Sequence, residues 1–517
     1  VTSVGGRTRL PHGVGAREFA EALTAFRAVL GDSRVLTAEA VALTGYDDPQ
    51  AVCGAGHFAP SAALLPRSVE EVRQLLPLAG RHRIPLAPAL PGRHTGLGGA
   101  APRLPGAVVL DLAGLNRIVA VDATFGHAVV EPGVTFADLA AHLAAHRLPY
   151  RLDPVDLGWG SVLGHALDTG GLAPYEDEPP LWCGLEVVLP DGELVRTGTG
   201  AVPGARTAHL WPYGHGPSFD TMFAPLNLGV VTRLGVRLRP APADRRSYVV
   251  TVPRADDLGP LVDILRALRA DGTLTEPPIV RGPLLAAAAA GRRREDFPGV
   301  PGPVPEDAVA SVVRELRLGH WTAYGTLAGH PAVVNARWAA LREALEPVPG
   351  ARCTLGEPGA DRAPAGLWGD AADGWLKHGG HLAVTPVLPA TGADALGQYG
   401  STRRLLHAAD HDYLGSFVVG RRVLHHHVPV VFDVHDPDGR AGALALARRL
   451  VTRAAADGLG VRQAHPALMD EVAAAYAEHD HALRRLGERV KDTLDPAGVL
   501  APGSHGLWPR RYRGLGL

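Results

Sequence analysis

Apolar and polar positions alternate along this chain with two periods. From Ala16 to Gly31, "AREFAEALTAFRAVLG", apolar residues recur at helical spacing and a glycine stops them. "SVEEVRQLLPLAGRHR" predicts a second helix, with Ser68 as N-cap and Glu70 and Glu71 in its first turn. Pro77 is expected to kink or end it. "IPLAPAL" then reads as a short buried strand. "AVVLDL", "RIVAVDA" and "HAVVEPG" are Val-rich strand runs, and "TFADLAAHLAAHRL" is an amphipathic helix. "LEVVLPDGELVRTG" predicts a hairpin turning on Pro-Asp-Gly, and "GVVTRLGVRLRPAP" a strand that runs out into prolines.

A second region begins after "RPAPADRR". It carries two helix-plus-strand patterns, built on "ADDLGPLVDILRALRADG" and on "VLHHHVPVVFDV" followed by "ALALARRLVTRAAADG". These patterns place one domain at 1–240 with a C-terminal return at 459–517, and a second at 241–458. Strands and helices alternate without regular βαβ spacing, so the fold class is α+β rather than a doubly wound sheet.

Composition narrows the function classes. The chain has 517 residues, too many for one ordinary core. A net charge of -2 suggests no nucleic-acid partner. No apolar run reaches membrane-spanning length, so no membrane partner is expected. Cys53, Cys183 and Cys353 are odd in number and widely spaced, which fits neither a disulfide framework nor a zinc motif. A cytoplasmic location is the expectation. Only Lys377 and Lys491 are lysines; arginine supplies the remaining basic side chains.

Four glycines crowd into "GRHTGLGG", Gly92–Gly99. A dinucleotide loop of the Gly-x-Gly-x-x-Gly type should open a helix, but this one runs into "AAPRLPG". A Walker loop needs Gly-Lys-Ser/Thr, which is absent. What remains is either a surface turn or a nest of backbone N–H groups able to cradle a pyrophosphate, with Thr95 and Arg93 adding a hydroxyl and a charge.

The ordered series "PLAPALPGRHTGLGGAAPR", "VVEPGVTFADL", "DPVDLGWGSVLGHAL", "PYGHGPSFDTMFAPLNLGVVTRLGV", "HGGHLAVTPV", "QYGSTRRLLHAADHDYLGSF" and "LDPAGVLAPGSHGLWP" resembles the vanillyl-alcohol oxidase and p-cresol methylhydroxylase flavoproteins, in their 4-phenol-oxidising branch. The resemblance runs from about residue 40 to 515. It implies a discontinuous FAD-binding domain, a cap domain and an FAD-dependent oxidase or dehydrogenase acting on a small molecule. A homodimer or higher homo-oligomer is also implied. Backbone contacts to FAD fall on Gly92, Arg93, His94, Thr95, Gly96 and Gly98, with Ser161 and Gly164 as a second wall and Gly229 and Val230 as a third. His381 matches the histidine linked to the flavin, implying covalent FAD, and Asp156 matches an aspartate beside flavin N5.

The departures concern the substrate. Phenol-oxidising members hold the phenolate with two tyrosines and an arginine. Leu97 stands at the first tyrosine's place, and Arg462 and Gln463 at the adjacent Tyr-Arg pair. His427, in the triplet His425–His427, replaces an apolar residue; His425 and His427 would share one face of a strand. No metal is expected there. The substrate is therefore expected not to be a simple 4-alkylphenol. The rival reading is a tailoring enzyme of secondary metabolism that keeps FAD mainly as scaffold for a non-redox cyclisation or rearrangement.

Overall fold

The computed structural model describes residues 10–37, 41–92, 95–152, 158–169, 182–299, 302–357 and 369–516. They divide into two compact units. One comprises the described residues up to Pro240 and those from Pro466 onward; the other is Ala241–His465.

In the first unit, the helix Ala16–Leu30 buries Phe19, Leu23, Phe26 and Leu30 against the helix Val69–His82. Ser68 caps the latter, its side chain accepting from Glu71 N at 3.2 Å. Pro77 does not end that helix, which continues to His82. The hairpin turn covers this point: a Cβ on Gly192 would lie 2.6 Å from Arg73 O and 2.9 Å from Pro77 Cγ. The carbonyl left without a helical donor by the proline thus faces a residue with no side chain.

The helices rest on a four-stranded mixed sheet in the order Val35–Thr37, Ala62–Leu64, Val108–Asp111, Leu86–Ala89, the last three strands parallel. A five-stranded antiparallel sheet follows the order Ile118–Asp122, His127–Val130, Val230–Arg237, Trp182–Val188, Leu194–Arg196. The predicted Pro-Asp-Gly hairpin joins its last two strands. The C-terminal segment returns here, with Leu86 N donating to Val499 O and Ala501 N to Leu86 O, both at 2.7 Å.

The second unit is built on an eight-stranded sheet in the order Arg352–Leu355, Asp244–Val252, Trp321–Gly329, Ile279–Arg281, Ser416–Val419, Val423–Asp433, Gly379–Val384, with Val387–Pro389 also paired to Val423–Asp433. All pairings are antiparallel. The unit extends past Gly458 because Pro386 bridges Val461 and Arg462 N donates to Thr385 O at 3.2 Å. Those bonds hold Arg462 and Gln463 in the second unit rather than in the C-terminal return.

Candidate active site

Two sets of residues carry the candidate chemistry, one in each unit. The first begins where the strand Leu86–Ala89 ends. Pro91 O accepts from Ser161 N at 2.9 Å, which ties the start of the glycine loop to "GWGSVLG". Thr95, Gly96 and Leu97 form a single 3-10 turn, in which Gly96 is buried and Leu97 half-buried. Gly98 follows at φ +86° and Gly99 at φ +60°. Gly98 N donates to Thr95 O at 3.3 Å and Ala101 N to Gly98 O at 3.1 Å, so the loop closes on itself in two successive turns. Only glycine takes such φ values without strain. The bare backbone of the loop allows close approach by a phosphate group. Arg93, His94 and Asp156 lie outside the described residues.

Ser161 is buried, and its hydroxyl serves the protein. It donates to Pro132 O at 2.5 Å and accepts from Gly164 N at 2.9 Å. Gly164 sits where a Cβ would come within 3.2 Å of Leu90 Cδ1 and of Ser161 Cβ. These contacts let the helix Val162–Thr169 start directly beside Pro91. The same helix packs on the strand Val230–Arg237, whose first residue, Val230, has its side chain in the core. Gly229 precedes it; a Cβ there would lie 2.5 Å from Val187 Cγ1 and 3.1 Å from the Phe223 ring. The glycine loop is thus tied directly to Ser161, and the helix that follows Ser161 packs on the strand that Val230 begins.

The second set lies on the second unit's sheet. His381 is 2% exposed, and its Nδ1 stands 2.6 Å from Asp373 Oδ1, on the helix Gly369–Asp373. A carboxylate on Nδ1 fixes the orientation of the ring. Sequence reading missed Asp373; an aspartate eight residues upstream carries no periodic signal. His425, His426 and His427 are all buried within the strand Val423–Asp433. Burial, followed by Arg462, pushes His425 down to about 3. Burial alone pushes His426 down to about 3. His427 is lowered by burial, then by His425, Arg462 and His426. All three are neutral imidazoles at pH 7, and the half-buried Arg462 is the cation beside them. Thr385 Oγ1 lies 3.3 Å from His427 Nδ1. Gln463 is half-buried beside Arg462. No helix among the described residues is long and apolar enough to cross a membrane.

Comparison with known proteins shows what the chain is similar to. Residues 60–198 match the FAD binding domain family, and residues 369–505 the C-terminal domain of FAD linked oxidases. The chain is 31% identical over 511 residues to the 4-cresol dehydrogenase [hydroxylating] flavoprotein subunit of Pseudomonas putida, covering 96% of this chain and 97% of that one. It is 31% identical over 329 residues to 1'-carboxy-chondrochloren decarboxylase of Chondromyces crocatus, covering 63% and 60%. Among solved structures, 4-ethylphenol oxidase from Gulosibacter chungangensis in complex with isoeugenol superposes with a TM-score of 0.91 at 35% identity, covering 98% of this chain and 100% of that one. p-Cresol methylhydroxylase with substrate bound gives 0.91 at 30% identity, covering 96% and 99%. With near full-length similarity to these flavoproteins, the chain belongs to the vanillyl-alcohol oxidase and p-cresol methylhydroxylase family of FAD-dependent oxidoreductases.

Proposed function

We propose that this protein is an oxidase or dehydrogenase that removes a hydride from a C–H bond of a small organic molecule, with a substrate site altered from that of the 4-phenol oxidases. FAD, when bound, supplies the hydride acceptor at N5. The observation that carries the altered specificity is Arg462 beside two neutral imidazoles, His425 and His427, where the family has a tyrosine. With Leu97 and Gln463 at the other two clamp positions, up to three charge-assisted hydrogen bonds to a phenolate are lost, each worth roughly 1.5–3 kcal/mol. Even partial loss costs a phenolate several powers of ten in affinity, at about 1.4 kcal/mol per tenfold. Asp156 is assigned as the carboxylate that takes a proton or steadies positive charge on the substrate. The similarity to a protein named for a carboxylated substrate supports a family site open to molecules other than alkylphenols.

His381 is the proposed covalent anchor. Acid precipitation should leave yellow colour in the pellet, and His381→Ala should release it to the supernatant. Flavin extracted completely from the parent protein would end that assignment. Anaerobic mixing with a substrate panel tests the reaction. Vanillyl alcohol and 4-alkylphenols should bleach the flavin poorly; efficient bleaching by any of them would show that the phenolate site had been rebuilt. Product formation without bleaching would favour a retained flavin with a non-redox role.

A further inference from the structure

Strand register fixes which residues share each face of the second unit's sheet. Directly opposed residues of an antiparallel pair point to the same side, as do residues two apart along a strand. His381 opposes Val431, Ser416 opposes His427, Val418 opposes His425, Arg281 opposes Ser416, and Thr322 opposes Arg281. His381, His425, His427, Ser416, Arg281 and Thr322 therefore share one face. The other face carries Phe417, stacked on His426 with ring centroids 4.2 Å apart, and Tyr413, whose hydroxyl lies 2.9 Å from His426 Nε2. That second face is a core; the first is a buried polar row.

Besides Thr322, whose hydroxyl accepts from Gly319 N at 3.3 Å, two members of the polar row are unassigned by the reaction. Arg281 is 3% exposed, with its guanidinium carbon 5.2 Å from the ring centroid of Tyr324, its diagonal neighbour. Ser416 is fully buried, and its Oγ has no hydrogen-bond partner among the described residues. A buried hydroxyl left unsatisfied carries a desolvation cost that a ligand acceptor would recover. Neighbouring strands lie about 4.8 Å apart, so Ser416 stands one strand from Arg281 and one strand from His427.

We propose that Arg281 and Ser416 form a subsite for a substrate carboxylate, making the preferred substrate an organic carboxylate rather than a neutral alkylphenol. The proposal rests on the reading above, in which the face bearing His381 is the substrate side. A guanidinium forks onto both carboxylate oxygens, and the serine hydroxyl donates a third bond. The tyrosine ring holds the guanidinium plane in place. The planar guanidinium with one hydroxyl one strand away matches the two oxygens of a planar carboxylate.

The test is anaerobic isothermal calorimetry on the holoenzyme, its flavin reduced beforehand, with 3-(4-hydroxyphenyl)propanoate and 4-propylphenol. The carboxylate should bind at least about tenfold more tightly. Arg281→Met should abolish that preference while leaving the 4-propylphenol Kd within about twofold; Ser416→Ala should reduce it by about three- to tenfold. Arg281→Lys keeps the charge without the fork and should retain part of the preference, which covers the case in which Arg281→Met fails to fold. Equal binding of the two compounds, or a preference that survives replacement of Arg281 and of Ser416, would overturn the subsite. The flavin is reduced before the titration and accepts no hydride, so binding is read without reaction; failure of the hydride-transfer reading would show separately, as neither compound bleaching the oxidised flavin while the calorimetric preference stands.

Discussion

In a chain with two lysines, Lys491 is fully buried. Its Nζ donates to Asn227 O and Leu500 O, both at 2.5 Å, and pairs with Asp495 Oδ2 at 2.8 Å. Asp495 in turn accepts from Val499 N at 3.0 Å and Leu500 N at 2.8 Å. This knot ties the C-terminal return to the segment that leads into Gly229 and Val230. Lys491→Met keeps length and apolar stem but removes three charge-assisted bonds, leaving two carbonyls and a carboxylate short of a donor. Breaking a buried pair from one side costs about 3–5 kcal/mol. At about 1.4 kcal/mol per tenfold, that is roughly a hundred- to several-thousand-fold in the unfolding equilibrium. Lys491→Arg should also destabilise, because the longer planar group overpacks a site shaped for a point charge. Urea unfolding of both variants, followed by tryptophan fluorescence, should show midpoints lowered by about 1 M or more if the slope is near 3 kcal/mol/M. Flavin should also be lost at lower urea. A Lys491→Met midpoint within a few tenths molar of the parent would refute the argument that this ammonium holds the return in place.

Three further outcomes follow from the geometry. The buried histidines of the strand Val423–Asp433 bind fewer protons folded than unfolded, so their contribution is intact above about pH 6.5 and falls as the pH drops; for His425 and His426, lowered to about 3, the loss should be about 2 kcal/mol each by pH 5. Urea midpoints at pH 7.5 and 5 check this, and His427→Val should reduce the acid loss; an acid loss unchanged in that variant would contradict it. Gly229→Ala forces a methyl within 2.5 Å of Val187 Cγ1 and should cost about 1–3 kcal/mol with lower FAD occupancy, read from the ratio of flavin to protein absorbance; full occupancy and stability would show that the strand start can shift. Asp373→Ala should lower the acid-stable flavin fraction by freeing the His381 ring, and a fraction equal to the parent's would assign Asp373 a purely structural role.

The amino-acid sequence by itself determined the local elements, because their causes are local. The helix Val69–His82 begins at Ser68 through a side-chain cap, and the hairpin at Pro190–Gly192 turns where a glycine permits φ +89°. The glycine loop was legible for the same reason: bare backbone and left-handed φ need glycine whatever the fold. The altered clamp at Leu97, Arg462 and Gln463 was legible as residue identity. Tertiary structure decided what depends on distant partners. Pro77 sits inside a helix because the hairpin turn some 115 residues on (about 3.6 residues to a helical turn, so no local rule reaches it) lies over it. Arg462 belongs to the second unit because its amide bonds to Thr385. Asp373 meets His381, and Arg281 meets Ser416 and Tyr324, only through chain folding and strand register. Register is a property of paired strands, and one residue of slip would send every one of these polar side chains to the opposite face.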